Sequence, residues 1–383
     1  MYIEGVVCES CSFSCGPDIP VTICPECGST LNIRYDFEKM AREVKREELT
    51  GTGMDRYRGL LPLNNSPVSL GEGETPLIHS ESIGKKLTGE LYFKLDFMNP
   101  TGSFKDRGSV MTVSKACEWG VNSVADDSSG NAGASLAGYS ARAGLDCTIY
   151  VPASTSGEKL VQIKSYGAEL EEVPGPRERA TERIQEDTSG TETYYSSHNL
   201  SPYFTEGMKT IAHEVSEWFE WNSPDHVVVP VGGGALLVGM YYGFRELERL
   251  GWIDSVPKIH AVQTKSCNPV VKAFSNSWDQ TRPVEVSPTI AEGVHISNPD
   301  RGRGILNAIR NTGGQAVEVS EKAVKRSLEE LARKEGIFAE PTSAVPVAAL
   351  DVLNNLETFE SGEIIMIPIT GSGLKDAGAW QKA

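Results

Sequence analysis

Four strand-like runs in this chain each stop at a loop of glycines or small polar residues, and that repeated order constrains the fold more than any other feature. Residues 91–97 lead into Asn99-Pro-Thr-Gly-Ser-Phe-Lys-Asp-Arg-Gly108, and residues 123–127 lead into Ser128-Ser-Gly-Asn131. His226-Val-Val-Val-Pro-Val231 leads into Gly232-Gly-Gly-Ala235, and residues 364–370 lead into Gly371-Ser-Gly373. Helical patterns follow the first three loops, at 109–118, 132–144 and 236–247, and a further apolar run at 147–151 closes at Pro152. Strands alternating with helices predict parallel sheets covered on both faces. In such sheets ligands gather at the carboxyl ends of the strands. All four loops belong there, so the pattern predicts an α/β fold of two parallel-sheet domains and one shared site. The boundaries read as a small module over 1–35, a large domain over 36–103 and 203–383, and a smaller α/β domain over 104–202.

The loops also carry chemistry. Lys105 stands where a turn-rich loop meets a helix, beside Phe104. Shielding from water disfavours the ammonium form there, and only a neutral amine attacks a carbonyl to form a Schiff base. Taken alone, Lys105 reads as a surface lysine at a helix start; its company reverses that. Gly232, Gly233 and Gly234 open a helix with backbone N–H groups free to surround a phosphate, and the helix dipole adds attraction. A lysine, an anion loop and polar strand ends together fit pyridoxal phosphate. The run Gly232–Gly239 is a poor dinucleotide fingerprint, since the required third glycine is missing. No pair of the six histidines has a metal-type or catalytic spacing.

Cysteine usage marks the first module. Cys8-x-x-Cys11 and Cys24-x-x-Cys27 present four thiolates on two short knuckles, which suits a closed structural zinc site. Cys15 lies between the pairs, while Cys117, Cys147 and Cys267 sit in apolar contexts as small hydrophobes. A ribbon of this kind often serves nucleic acid, but a net charge of −16 opposes phosphate contacts. No apolar run is long enough to span a membrane, and the start of the chain lacks a signal-peptide pattern. The reading is a cytoplasmic protein with no nucleic-acid or membrane partner.

Taken together, Pro100-Thr-Gly-Ser-Phe-Lys-Asp-Arg107, Ser129-Gly-Asn-Ala132, Gly232-Gly-Gly234 and Thr370-Gly-Ser-Gly-Leu-Lys-Asp376 resemble the fold-type II (tryptophan synthase beta-like) pyridoxal-phosphate enzymes. Gly71-Glu-Gly-Glu-Thr-Pro-Leu77 and the ending Gly-Leu-Lys-Asp resemble the threonine synthases of that group. The resemblance implies that Lys105 holds the cofactor and moves protons, and that Phe104 packs near its ring. It further implies that Asn131 bonds the ring oxygen, that Gly232, Gly233, Gly234 and Ala235 cradle the phosphate, and that Thr370 meets the pyridine nitrogen. Ser128, Ser129 and Asn131 would hold the carboxylate of a small amino-acid substrate. A homodimer is expected, and the zinc ribbon through Cys8, Cys11, Cys24 and Cys27 also occurs in many threonine synthases. The implied reaction converts O-phospho-L-homoserine and water to L-threonine and phosphate. Two positions depart from the pattern: Ala132 stands where a threonine is usual, and Phe204 where an arginine is usual. They favour an alternative, a serine/threonine dehydratase or a β-replacement enzyme acting on an activated serine.

Overall fold

The computed structural model describes residues 2–155 and 157–380. The chain forms two compact units, one built from the chain up to Glu74 with Asn99–Thr210, the other from Thr75–Met98 with the chain from Ile211. The last of the three divisions, between Thr210 and Ile211, falls inside the helix Pro202–Trp218.

The first unit holds a four-stranded parallel sheet, ordered Glu169–Val173, Asp146–Pro152, Ser123–Asp126, Thr193–Tyr195. Side chains alternate across it as the pleat requires. Val124, Ile149 and Val151 face one core with Val110, Met111 and Leu136, while Ala125, Tyr150 and Tyr195 face another with Ala180 and Ile184. The helices Lys105–Glu118 and Asn131–Ala143 pack on the first of these faces. The edge strand Glu169–Val173 carries no strand signal in the sequence. Its glutamates point to water and only Val173 is buried, so no apolar alternation marks it. A separate antiparallel sheet joins Ile3–Cys8 to Ser14–Cys15 and Leu31–Tyr35, around a small core of Val6, Cys24 and Leu31.

The second unit holds a six-stranded sheet, ordered Ala316–Val319, Lys258–Thr264, His226–Pro230, Ile364–Pro368, Glu90–Lys94, Leu77–His79. All neighbours run parallel except the last pair. The antiparallel edge corrects the expectation of a purely parallel sheet. His226–Pro230 and Ile364–Pro368 are central and covered on both faces, which is why they read as unbroken apolar runs. The core gathers Leu91, Phe93, Val228, Val262, Ile365 and Ile367 under the helices Glu321–Glu335 and Pro341–Asn355. Among the described residues no helix is long and apolar enough to cross a membrane.

Candidate active site

In the first unit the lysine loop is tied down from below. Lys105 is the first residue of its helix and is half-buried, with Phe104 in the capping position. Asp106, fully buried, accepts hydrogen bonds from Thr101 N at 2.7 Å, from Thr101 Oγ1, and from Ser135 Oγ at 2.6 Å. It therefore clamps the loop before Lys105 to the helix that begins at Asn131. Arg107 is also buried and donates to Thr210 Oγ1 at 2.8 Å. Two aromatic rings stand around the amine: Lys105 Nζ lies 4.8 Å from the Phe104 ring centroid and 5.5 Å from that of Phe204.

The loop Ser128–Gly130 follows the strand Ser123–Asp126 and turns into the helix at Asn131. Ser128 is buried and its Oγ accepts from Gly130 N at 3.3 Å, while Ser129 and Asn131 are half-buried. A Cβ at Gly133 would lie 1.9 Å from Ser128 O, so the loop can fold back on the helix only because residue 133 has no side chain. Beneath this loop lies a group that spacing did not reveal. His198, from the loop after the neighbouring strand Thr193–Tyr195, sets Nδ1 3.0 and 3.1 Å from the two carboxylate oxygens of Asp126. Asp127 accepts from Tyr195 Oη at 3.1 Å and from Thr181 Oγ1 at 2.5 Å. Burial would raise both carboxyls. The histidine beside Asp126 outweighs burial and lowers it, whereas burial and the charge of Asp126 keep Asp127 raised. One of the two adjacent aspartates thus holds its proton more tightly than the other.

In the second unit two neighbouring parallel strands bring the remaining residues to one sheet end. After His226–Pro230 the loop Gly232–Gly234 enters the helix Ala235–Arg249, with Gly234 at φ 102°. A Cβ at Gly232 would meet Gly293 O at 2.3 Å, and one at Gly234 would meet Ile305 Cδ1 at 2.6 Å. Buried Arg301 also flanks Gly234, its Cβ 3.2 Å from that position. After Ile364–Pro368 comes Thr370, only 1% exposed. Ser343 Oγ accepts from Thr370 N at 2.9 Å and Gly371 N at 3.1 Å, which leaves its hydrogen for Thr370 Oγ1 at 3.0 Å. Thr370 Oγ1 in turn donates to Glu340 Oε1 at 3.1 Å. Ser343 and Glu340 carry no local motif and were not anticipated.

The four N-terminal thiols converge. Cys8 and Cys27 Sγ are 3.5 Å apart and Cys11 and Cys24 Sγ 3.6 Å apart, with all four within 4.8 Å of one another. Sulfurs on a tetrahedral zinc with bonds of about 2.3 Å stand roughly 3.8 Å apart. The donor set therefore fits that ion, and Cys15 lies outside it. The segment between the knuckles is fastened to helices and a strand of the first unit. Pro17 O accepts from Trp119 Nε1 at 3.3 Å and Tyr203 Oη at 3.0 Å, and Thr22 Oγ1 donates to Tyr195 O at 2.5 Å.

The first unit thus sets a lysine at a helix start, and the second sets a glycine loop, with no room for a Cβ at Gly232 or Gly234, beside a neutral hydroxyl at a strand end. Residues 68–371 match the family of pyridoxal-phosphate dependent enzymes, and the chain belongs to that family. It is similar to the threonine synthase of Methanocaldococcus jannaschii, 38% identical over 97% of this chain and 93% of that protein. It is also similar to the threonine synthase of Methanosarcina acetivorans, 34% identical over 96% of this chain and 91% of that protein. Among solved structures, maize serine racemase shares the fold, with a TM-score of 0.68 at 23% identity over 80% of this chain and 91% of that one.

Proposed function

We propose that the chain is a threonine synthase, a lyase that converts O-phospho-L-homoserine and water to L-threonine and phosphate. The observation that carries this reading is similarity to threonine synthases along nearly the whole chain, 97% of it in one case. Bound pyridoxal phosphate supplies the electron sink that stabilises negative charge at the substrate α-carbon. Lys105 Nζ would hold the cofactor and would carry a proton to and from the substrate. Phe104 packs beside the cofactor ring, and Asn131 donates to the ring oxygen. Gly232, Gly233, Gly234 and Ala235 offer backbone N–H groups to the phosphate. Thr370, a neutral hydroxyl supported by Ser343, faces the pyridine nitrogen. Ser128, Ser129 and Asn131 bind the substrate carboxylate.

Cys8, Cys11, Cys24 and Cys27 hold one structural zinc in this reading, supported by the convergence of their sulfurs. None of the eight cysteines is joined in a disulfide, which supports a cytoplasmic setting. A homodimer is part of the proposal, and exposed Leu374 and Phe338 supply apolar surface for it. The boundaries 1–35, 36–103 with 203–383, and 104–202 stand as our proposal for modules that fold as units.

One observation favours the alternative, a dehydratase or β-replacement enzyme: Phe204 presents an apolar ring near Lys105. The deciding experiment compares kcat/KM for phosphate release from phosphohomoserine with that for ammonia release from serine and threonine. Efficient phosphate release supports threonine synthase; ammonia release alone overturns it.

A further inference from the structure

Phe204 is buried to 2% exposure, and its place is created by missing side chains. A Cβ at Gly108 would lie 2.5 Å from three atoms of the Phe204 ring. One helical turn past Phe204, a Cβ at Gly207 would lie 1.8 Å from Arg107 O. The helices that start at Lys105 and Pro202 therefore touch backbone to backbone at two glycines, and the ring fills the notch above Gly108. Gly108 is three residues beyond Lys105, on the same face of its helix. Helical side chains lean toward the N-terminus, so a ring seated on Gly108 stands beside the lysine side chain, as the 5.5 Å separation records. The ring also meets His198 edge-on, with centroids 6.2 Å apart and planes at 70°. His198 cannot swing away, because Asp126, 1% exposed, holds Nδ1 through both oxygens.

We propose that Phe204, seated on Gly108 and braced by the His198–Asp126 pair, is a positioning residue that walls the Lys105 amine and fixes its direction. The proposal rests on Lys105 being the reactive amine. It gives His198 and Asp126 a task that the reaction itself leaves unassigned, and it explains why residues 108 and 207 are both glycine. A wall of this kind excludes water from one side of Nζ and leaves the lysine fewer rotamers, so the amine meets its target already aimed.

The test needs no substrate. In the full-length chain freed of cofactor, lysine acetylation is followed by mass spectrometry, with exposed Lys85 and Lys322 as internal references. Phe204→Ala is expected to raise Lys105 labelling relative to the references about tenfold, equivalent to ~1.4 kcal/mol of lost shielding. His198→Gln is expected to raise it by a smaller factor, and Phe204→Leu to restore most of the protection. In the loaded enzyme Phe204→Ala should lower kcat by about a hundredfold, the cost of a misaimed group, with KM little changed. Unchanged relative labelling in a folded Phe204→Ala chain overturns the proposal. So does a change confined to KM. Should Phe204→Ala not fold, Gly108→Ala with Phe204→Ala places a methyl in the emptied notch and is read in the same way. Because labelling is independent of the reaction, the wall can stand even if phosphohomoserine proves not to be the substrate.

Discussion

The two units present their candidate site residues by opposite means. The first does so with side chains that are present: Lys105, Asn131 and Ser128, on a loop clamped by buried Asp106. The second does so chiefly with side chains that are absent, in a loop where a Cβ at Gly232 would strike a backbone oxygen at 2.3 Å. A site made of side chains can be tuned by its neighbours, as Phe104 and Phe204 surround Lys105. A site made of backbone N–H groups is fixed by chain path alone and tolerates no addition. The difference also appears in their buried histidines. In the first unit His198 is held by a carboxylate at the carboxyl end of the sheet. In the second, His226 and His260 lie near the amino ends of their strands, in a relay that begins at Gln315 N and ends at Glu363.

The largest effect should come from removing a group in the first unit. Lys105→Ala is expected to abolish turnover, by about a thousandfold or more for loss of a covalent and acid–base group, and to remove the visible absorbance of bound cofactor. Far-UV circular dichroism should remain that of the native chain. Retained absorbance and activity would show that another lysine holds the cofactor.

The second unit should instead break by addition. Gly232→Ala forces a methyl against Gly293 O, an atom that cannot step aside. Overpacking costs about 1–3 kcal/mol, so cofactor affinity should fall roughly tenfold to a hundredfold, read by titrating the apoprotein with pyridoxal phosphate. Native affinity in this variant would mean that the loop has slack, and the contrast between the units would weaken.

Acid should separate the units next. Gln315 N–H points at His260 Nδ1, so the His260 proton lies on Nε2 and is given to His226 Nδ1, while His226 Nε2 donates to Glu363. Every member is satisfied only when both rings are neutral. Burial accordingly lowers His226 and takes His260 down to about 3. A folded-state value below the unfolded 6.5 means the unfolded chain binds the extra proton. Stability is therefore full above pH 6.5 and declines as pH falls from 6.5 toward 3, by at most ~1.4 kcal/mol per pH unit for each proton. Asp126 is lowered from 3.8, so its contribution persists until the pH falls below that value. Hydrogen exchange at pH 5.5 should show the His226–Pro230 and Lys258–Thr264 strands losing protection while Ser123–Asp126 keeps it. The opposite order would refute the relay, and His260→Gln should flatten the pH dependence of Tm between 7 and 5.

The smallest effect is expected from chelation. Stripping metal from the four thiols should disturb residues 3–35 and, through Pro17 O, the fluorescence of Trp119. Cofactor affinity should change little, because Lys105 and the glycine loop are built without the module. A large loss of affinity on chelation would place the thiol cluster among the supports of the active site.

Much of this was legible in the chain. Lys105 at a loop–helix junction, the glycines after His226–Pro230 and the paired cysteine knuckles all depend on spacings of a few residues. Such spacings determine backbone path and which groups a short segment can present. The edge strand Glu169–Val173 escaped because an edge exposes one row of side chains and shows no apolar alternation. Phe204 was visible as a departure from a motif, but its place beside Lys105 was not.

By itself, then, the sequence determined the strand–loop–helix order, the lysine at a loop–helix junction, the glycine loop and the thiol cluster, because each is written in local spacing. Only the tertiary structure decided what surrounds them. His198 reaches Asp126 across 72 residues, and Ser343 reaches Thr370 across 27. Phe204 finds Lys105 only where two helices meet at Gly108 and Gly207. These contacts follow from which parallel strands become neighbours and how closely helices pack. That is a property of the folded chain as a whole, and no local period records it.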